Sequence, residues 1–364
     1  MEHRKIIGRA MLYESAFNAL EDQIAIIDAN GTILTTNSRW NAFCLDNGGD
    51  LAKCGVGINY LNFTDEASYE GILNVLNGEE TEFHYEYPCH AIDERRWFDM
   101  VVTPLSEDDE LGEVDGAVIA HRNITSRKQL ELSQKSDLEL AENLQQNVLL
   151  PPIDDDHISI EGLLMPSDHL SGDMYAWYQI DDHRYGVMLL DVMGHGVSSG
   201  LISMSLRSLL RGIITRVSYP NTVFDELNEH FCKLYGMDSF PKLYFSTGIY
   251  LLIDTNEQTI QYFNCGHPSG LIFGQTQQLL TQTSIPIGIN AHHKISNEIV
   301  HYEKGDRIIL YTDGLYDSLG MTPKQFERYV YREGISKLVS NHLSEELFAD
   351  MEQADDISVV SIKL

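Results

Sequence analysis

Positive charge is what this chain has least of. Its 364 residues carry 25 lysines and arginines against 55 aspartates and glutamates, a formal net charge of −30. Nucleic acids and anionic lipid surfaces need a basic face, so this balance argues against both as partners. Long apolar runs are missing too. No stretch approaches the ~20 apolar residues of a membrane span, and Met1-Glu2-His3-Arg4-Lys5 is not followed by the apolar core of a secretory signal. Cysteine is scarce. Cys44, Cys54, Cys89, Cys232 and Cys265 are odd in number and form no C-x-x-C pair, which fits thiols in a reducing, cytoplasmic setting. What remains is ample for real cores: 43% of residues are hydrophobic, and the length suits two domains.

Between Thr125 and Leu150 there is neither glycine nor proline, and good helix formers dominate. Leu138, Ala141, Leu144 and Val148 recur at helical spacing, and Pro151-Pro152 stops the pattern. This predicts a helical connector over residues 127–152. It separates a first domain, residues 13–126, from a second, residues 153–364.

In the first domain, Tyr13–Leu20 reads as a short amphipathic helix. The apolar run Ile24–Ile27 and the return Thr32–Asn37 flank Asn30-Gly31, a strong hairpin signal because both residues accept positive φ. Later β-rich segments cover Thr81–Tyr87, Arg96–Thr103 and Gly116–His121. Ile27-Asp28-Ala29-Asn30-Gly31-Thr32-Ile33-Leu34, Arg96-Trp97-Phe98 and Ile119-Ala120-His121-Arg122-Asn123-Ile124-Thr125 resemble a PAS domain. The resemblance implies a small antiparallel sheet flanked by helices. The bound ligand, where there is one, is not readable. No Asn-Cys-Arg-type flavin motif is present, His84 and His90 read as surface or core histidines rather than haem ligands, and Trp97 reads as core packing.

In the second domain, apolar strands repeatedly end or begin at acids. Tyr185–Leu190 delivers Asp191, followed by Gly194-His195-Gly196. Ser171-Gly172-Asp173 stands just before the same hairpin. Ile308–Tyr311 leads to Thr312-Asp313-Gly314, and Asp355-Asp356 precede the final strand Ile357–Ile362. Carboxylates that converge without intervening cations repel one another unless a divalent ion neutralises them. Hard oxygen donors suit Mg²⁺ or Mn²⁺ better than Zn²⁺. Helices are predicted over Val197–Arg211, Thr222–Leu234 and Thr322–Phe348. Strands flanking them suggest an α+β architecture in which two sheets are sandwiched between helices.

The order of these motifs is similar to that of the bacterial metal-dependent serine/threonine phosphatases of type 2C, in the branch of the stage-II sporulation phosphatase and the stress-response sigma-factor regulators. The matching residues are Leu144–Pro152, Ser171–Tyr175, Asp191–Gly196, Asn264-Cys265-Gly266-His267-Pro268, Gly305-Asp306, Leu310–Leu315 and Asp355–Ser358. The resemblance implies two Mn²⁺ or Mg²⁺ ions. Asp191 would bridge them, Val192 would offer its carbonyl, Asp173, Asp313 and Asp355 would complete the site, and Asp356 would be a ligand or a support. It further implies a phosphoserine or phosphothreonine protein as substrate, typically a phosphorylated anti-sigma-factor antagonist. Ser171 and Met193 depart from the usual pattern, and no arginine stands near the start of the domain to receive the substrate phosphate. His195 and His267 read as turn histidines and His292-His293 as solvated loop. The connector and the first domain are expected to form a homodimer and to regulate the second domain. The rival expectation is a ligand-gated interaction protein whose phosphatase fold is idle.

Overall fold

The computed structural model describes residues 2–91, 93–105, 114–235, 244–275, 277–333 and 353–364. The chain divides into two compact units, Met1–Lys135 and Ser136–Leu364. Among the described residues no helix is long and apolar enough to cross a membrane.

The first unit opens with helix α1 (Glu2–Ala19), then strands β1 (Gln23–Asp28) and β2 (Ile33–Thr36). Asp28 builds the turn between the strands: its carboxylate accepts from the amides of Asn30 and Thr32, while Gly31 takes φ +84°. Asn37 is buried and caps α2 (Ser38–Asp46) by accepting from the Trp40 amide. The short α3 (Leu51–Cys54), a 3₁₀ turn at Tyr60–Phe63 and α4 (Glu66–Leu76) follow. Strands β3 (Phe83–Pro88), β4 (Trp97–Leu105) and β5 (Gly116–Asn123) then close an antiparallel sheet of order β2-β1-β5-β4-β3. Ile27, Ile72, Val75, Val102 and Ile119 are fully buried between sheet and helices. Each such side chain contributes about 1.5–3 kcal/mol.

Cys44 on α2 and Cys54 at the end of α3 face each other across a two-helix corner, with Cα atoms 7.4 Å apart, wider than a disulfide ordinarily spans. The two-helix corner brings together cysteines that their spacing alone gave no reason to pair. Cys89, Cys232 and Cys265 are free thiols.

Helix α5 (Thr125–Asn147) crosses the boundary between the units. The second unit continues with β6 (Ile153–Asp154), β7 (Ser159–Met165), β8 (Asp173–Gln179), β9 (Arg184–Val192), α6 (Val197–Val217), α7 (Pro220–Tyr235), β10 (Ser246–Asp254), β11 (Thr259–Cys265), β12 (Gly270–Phe273), β13 (Gln278–Leu280), β14 (Glu298–His301), β15 (Arg307–Tyr311), α8 (Asp313–Ser318), α9 (Pro323–Glu333) and β16 (Ile357–Lys363). The remainder of the helix expected over Thr322–Phe348 lies outside the described residues. The strands form two antiparallel sheets, β14-β11-β10-β9-β8 and β13-β12-β15-β16-β7-β6.

The sheets pack face to face, and helices cover both outer faces. On β9, Tyr185, Val187 and Leu189 join the core shared with Ile308, Leu310, Val360 and Ile362 of the facing sheet. Their neighbours Met188, Leu190 and Val192 pack against Leu206, Leu210 and Ile213 of α6 and Phe224 and Phe231 of α7. Across the molecule, Ile309, Tyr311 and Val359 meet Leu315 of α8 and Phe326 and Val330 of α9. Because β9 is buried on both faces, it reads as a continuous apolar run rather than an alternation. The architecture is the α-β-β-α sandwich expected.

Candidate active site

Side chains two apart on a strand share a face. Asp191 therefore points to the same side as Tyr185, Val187 and Leu189, into the layer between the sheets, at its end. Asp173 sits directly opposite on β8, and Thr247 directly opposite on β10. The facing sheet contributes at the same end. Thr312 and Asp313 follow β15, and Asp355 and Asp356 precede β16, whose Val359 pairs with Tyr311.

The structure brings Asp173, Asp191, Asp313, Asp355 and Asp356 into one electrostatic cluster. Burial, then the charge of Asp191, pushes the Asp173 carboxyl well above the usual carboxylate range. Asp191 is pushed up to about 7 by burial, then by Asp313 and Asp355. Asp313 is raised by burial and by Asp355. The opposing influences on Asp173 and Asp191 are chiefly hydrogen bonds from hydroxyls. Thr312 Oγ1 donates to Asp173 Oδ2 at 2.7 Å, and Thr247 Oγ1 donates to Asp191 Oδ2 at 3.3 Å.

Asp356 differs from the other four. It is buried, and both of its oxygens are engaged: Oδ1 accepts from the Ser167 amide at 2.7 Å and hydroxyl at 2.8 Å, and Oδ2 accepts from the Gly172 amide at 2.7 Å. It ties the start of β16 to the loop that carries Asp173. Asp355 is exposed and accepts from the Asp356 amide through Oδ1 at 2.8 Å.

Two glycines make the approach possible. A Cβ on Gly172 would stand 2.9 Å from the Val192 carbonyl oxygen, and one on Gly314 would stand 2.2 Å from the Asp356 carbonyl oxygen. Ser171 has no positive φ, so serine fits at that position, and its hydroxyl accepts from the Asp173 amide at 3.0 Å.

Thr247 lies outside every motif read in the sequence, and within its motif Thr312 is not singled out for its hydroxyl. His267 is buried, its Nδ1 sits 3.0 Å from Thr247 Oγ1, and its amide donates to Asn264 Oδ1. Burial lowers this ring's pKa to about 3, so it is neutral. His267 thus acts as a turn histidine whose ring steadies, by a hydrogen bond, the threonine that holds Asp191. His195 is exposed. Gln145 of α5 is buried, and its carboxamide grips Ser171 on both sides, accepting from the amide at 3.0 Å and donating to the carbonyl at 2.8 Å.

Four carboxylates with oxygen available, a nearby backbone carbonyl and no lysine or arginine among the main charges acting on them form a donor set that fits Mg²⁺ or Mn²⁺. Among the described residues no group of three or more His, Cys, Asp or Glu side chains is arranged to hold an ion as it stands. The fit is therefore one of donor chemistry, and ligation would require the carboxylates to draw together.

Fold and site together define a type 2C phosphatase-like sandwich with an acidic end. It resembles the SiaA-PP2C domain of Pseudomonas aeruginosa at 19% identity with a TM-score of 0.51, over 66% of this chain and 99% of that one. The family model for Stage II sporulation protein E matches residues 181–364, just over half of the chain, and the chain belongs to that family. The match includes Asp191, Asp313, Asp355 and Asp356 but begins after Asp173. Phosphoserine phosphatase RsbP of Bacillus subtilis (strain 168) is 44% identical over 192 residues, which are 52% of this chain and 47% of that protein. Phosphoserine phosphatase RsbU of the same organism is 22% identical over 232 residues, 63% of this chain and 66% of that protein. The chain thus spans between about half and two thirds of the length of these relatives.

Proposed function

We propose that this protein is a metal-dependent phosphatase that hydrolyses phosphoserine or phosphothreonine on a partner protein. The observation that carries the reading is the convergence of Asp173, Asp191, Asp313 and Asp355, from two sheets, on one end of the sandwich. The names of RsbP and RsbU support the same activity, and the sigma-factor branch makes a phosphorylated anti-sigma-factor antagonist the substrate to test first. Two bound Mn²⁺ or Mg²⁺ ions would supply a water of lowered pKa and neutralise phosphoryl oxygens.

The chain's own residues divide the remaining work. Asp191 would bridge the ions, with Asp173, Asp313, Asp355 and the Val192 carbonyl as the other ligands. Asp356 fixes the backbone of the Asp173 loop. Thr312 and Thr247 orient Asp173 and Asp191, and His267 holds Thr247. No protein nucleophile is required. Cys265, the thiol nearest His267 in sequence, is buried and pushed up to about 12 by that burial.

In this reading the first unit is a PAS-like sensor, the segment 127–152 links it to the phosphatase domain, and the protein works as a homodimer. The test is phosphate release from a phosphoserine protein by the full chain with Mn²⁺, with Mg²⁺ and with EDTA. Release should need the metal, and Asp191→Asn should lower it by at least ~10²-fold. Near-normal turnover of that variant, or release that survives EDTA, would refute the assignment. Metal binding without any turnover would instead favour the idle-fold reading.

A further inference from the structure

Helix α2 turns two side chains toward the end of α3. Trp40 and Cys44 stand one turn apart on the same side of the helix. Trp40 Nε1 donates to the Cys54 carbonyl at 3.1 Å, and Cys44 meets Cys54 sulfur to sulfur. Both contacts therefore fall on Cys54.

The loop between the two helices is open and pliable. Asn47, Gly48, Gly49 and Asp50 are all exposed, and Gly48 takes φ +73°. A Cβ on Gly49 would stand 2.7 Å from Cys44 Sγ, so glycine is what lets the loop pass over that sulfur. Cys54 Sγ lies 3.3 Å from the Asp50 carbonyl oxygen. Both cysteines are half-buried, so a small reagent can reach them from the loop side. The other three thiols are free. Burial raises Cys232, and it pushes Cys265 up to about 12, which suppresses their thiolates.

Distance decides what kind of bond the pair can make. Disulfide Cα atoms stand about 4.4–6.8 Å apart, and here they are 7.4 Å apart. Holding the bond in ordinary geometry draws the corner in by about 0.6 Å or more. The Asn47–Asp50 loop absorbs that shift. The Trp40 indole, bonded to the Cys54 carbonyl, is carried with it.

We propose that Cys44 and Cys54 form a reversible thiol–disulfide switch in the first unit, closed by exchange with a low-molecular-weight disulfide and opened by the corresponding thiol. In closing, one cysteine thiolate attacks the reagent, releases one thiol and forms a mixed disulfide. The second cysteine then attacks the first cysteine's sulfur and releases the second thiol. The protein gives up two protons and two electrons, and the reagent takes them up. Where thiols are kept reduced, disulfides of this kind act as sensors rather than as permanent staples.

The test uses the full chain, reduced with dithiothreitol, desalted and exposed to oxidised glutathione. Two of the five thiols should disappear, and peptide mapping should find Cys44 joined to Cys54. Tryptophan emission should shift as the bond closes and return when excess reduced glutathione opens it. Trp40→Phe should remove the emission shift but keep the loss of two thiols, which separates Trp40 from Trp97 and Trp177. Cys54→Ser should stop at glutathione bound to Cys44. Five thiols surviving in the wild type, a bond from either cysteine to Cys89 instead, or loss of two thiols from Cys54→Ser would each overturn the proposal. So would a bond that reduced glutathione does not reopen, or an emission that ignores the redox state. Circular dichroism identifies a variant that fails to fold, and the wild-type measurements then decide.

Discussion

Asp191 serves two opposed ends. Its charge is what a divalent ion would need, yet the same charge works against Asp313 and Asp355 when no ion balances it. Asp191→Asn should therefore have effects of opposite sign. In EDTA it should raise the melting temperature of the second unit by about 2–4 °C, the effect of about 1 kcal/mol of relieved repulsion in a domain of this size. With saturating Mn²⁺ the wild type should gain stability by mass action while the variant gains little. Calorimetry in both conditions measures the two effects together, and destabilisation of the variant in EDTA would show that Asp191 is not under repulsion. His121 gives a pH dependence of known sign. Its folded pKa, about 4, lies below the ordinary 6.5. The unfolded chain therefore takes up the proton first, and the ring's contribution is intact above about pH 6.5 and lost as pH falls towards 4. The full loss is roughly 3 kcal/mol. Urea unfolding of the first unit should show wild type losing its advantage over His121→Gln across that window. A constant difference between pH 7 and pH 4.5 would mean that the buried ring does not resist protonation.

At the scale of elements, α5 reaches the site through one side chain. Its last turns place Gln145, not an apolar residue, in the buried position, with the carboxamide closed on both backbone groups of Ser171. Leucine at this position would match the volume but strand the amide and the carbonyl, which costs about 1–3 kcal/mol for each buried group left unpaired. Gln145→Leu should lower kcat by roughly 10-fold or more, weaken Mn²⁺ binding, and leave the first unit's unfolding unchanged. Wild-type metal affinity in that variant would remove Gln145 from the site. This contact also marks where the sequence stops being legible. Strands that end in Asp191 and Asp313 can be read directly, because an apolar run that breaks at an acid and a glycine marks a buried strand and the turn that ends it. The bonds that organise those acids cannot. Asp356 reaches Ser167 across 189 residues, Thr312 reaches Asp173 across 139, and His267 acts on Asp191 only through Thr247. Thr247 is placed by the register of β10 on β9, which no local pattern encodes. The Cys44–Cys54 pair was hidden for the same reason, since it exists only once α2 and α3 have folded against each other.

At the scale of the whole molecule, the homodimer proposed above would turn on the outer side of α5. Leu140 and Leu144 stand one turn apart on α5 and Val148 follows just past its end; they are 60, 51 and 39% exposed in the single chain. Leu130 and Leu132 are exposed further along the same helix. An apolar stripe on an otherwise polar helix needs a cover, and a second copy of the same helix offers a self-complementary one. Charge opposes that pairing, because each chain brings a net −30. The two terms respond differently to salt. An apolar seam is indifferent to it, whereas repulsion between two acidic chains is screened as the Debye length falls from about 10 Å at 0.1 M towards about 3 Å at 1 M. A homodimer built on this stripe should therefore tighten as salt rises, and Leu140→Lys should dissociate it at every salt concentration without disturbing Gln145 on the other side of the helix. Sedimentation equilibrium from 0.05 to 0.5 M NaCl distinguishes the cases. A dimer that loosens with salt would be held by ion pairs elsewhere, and a monomer at all concentrations would leave α5 with a different cover.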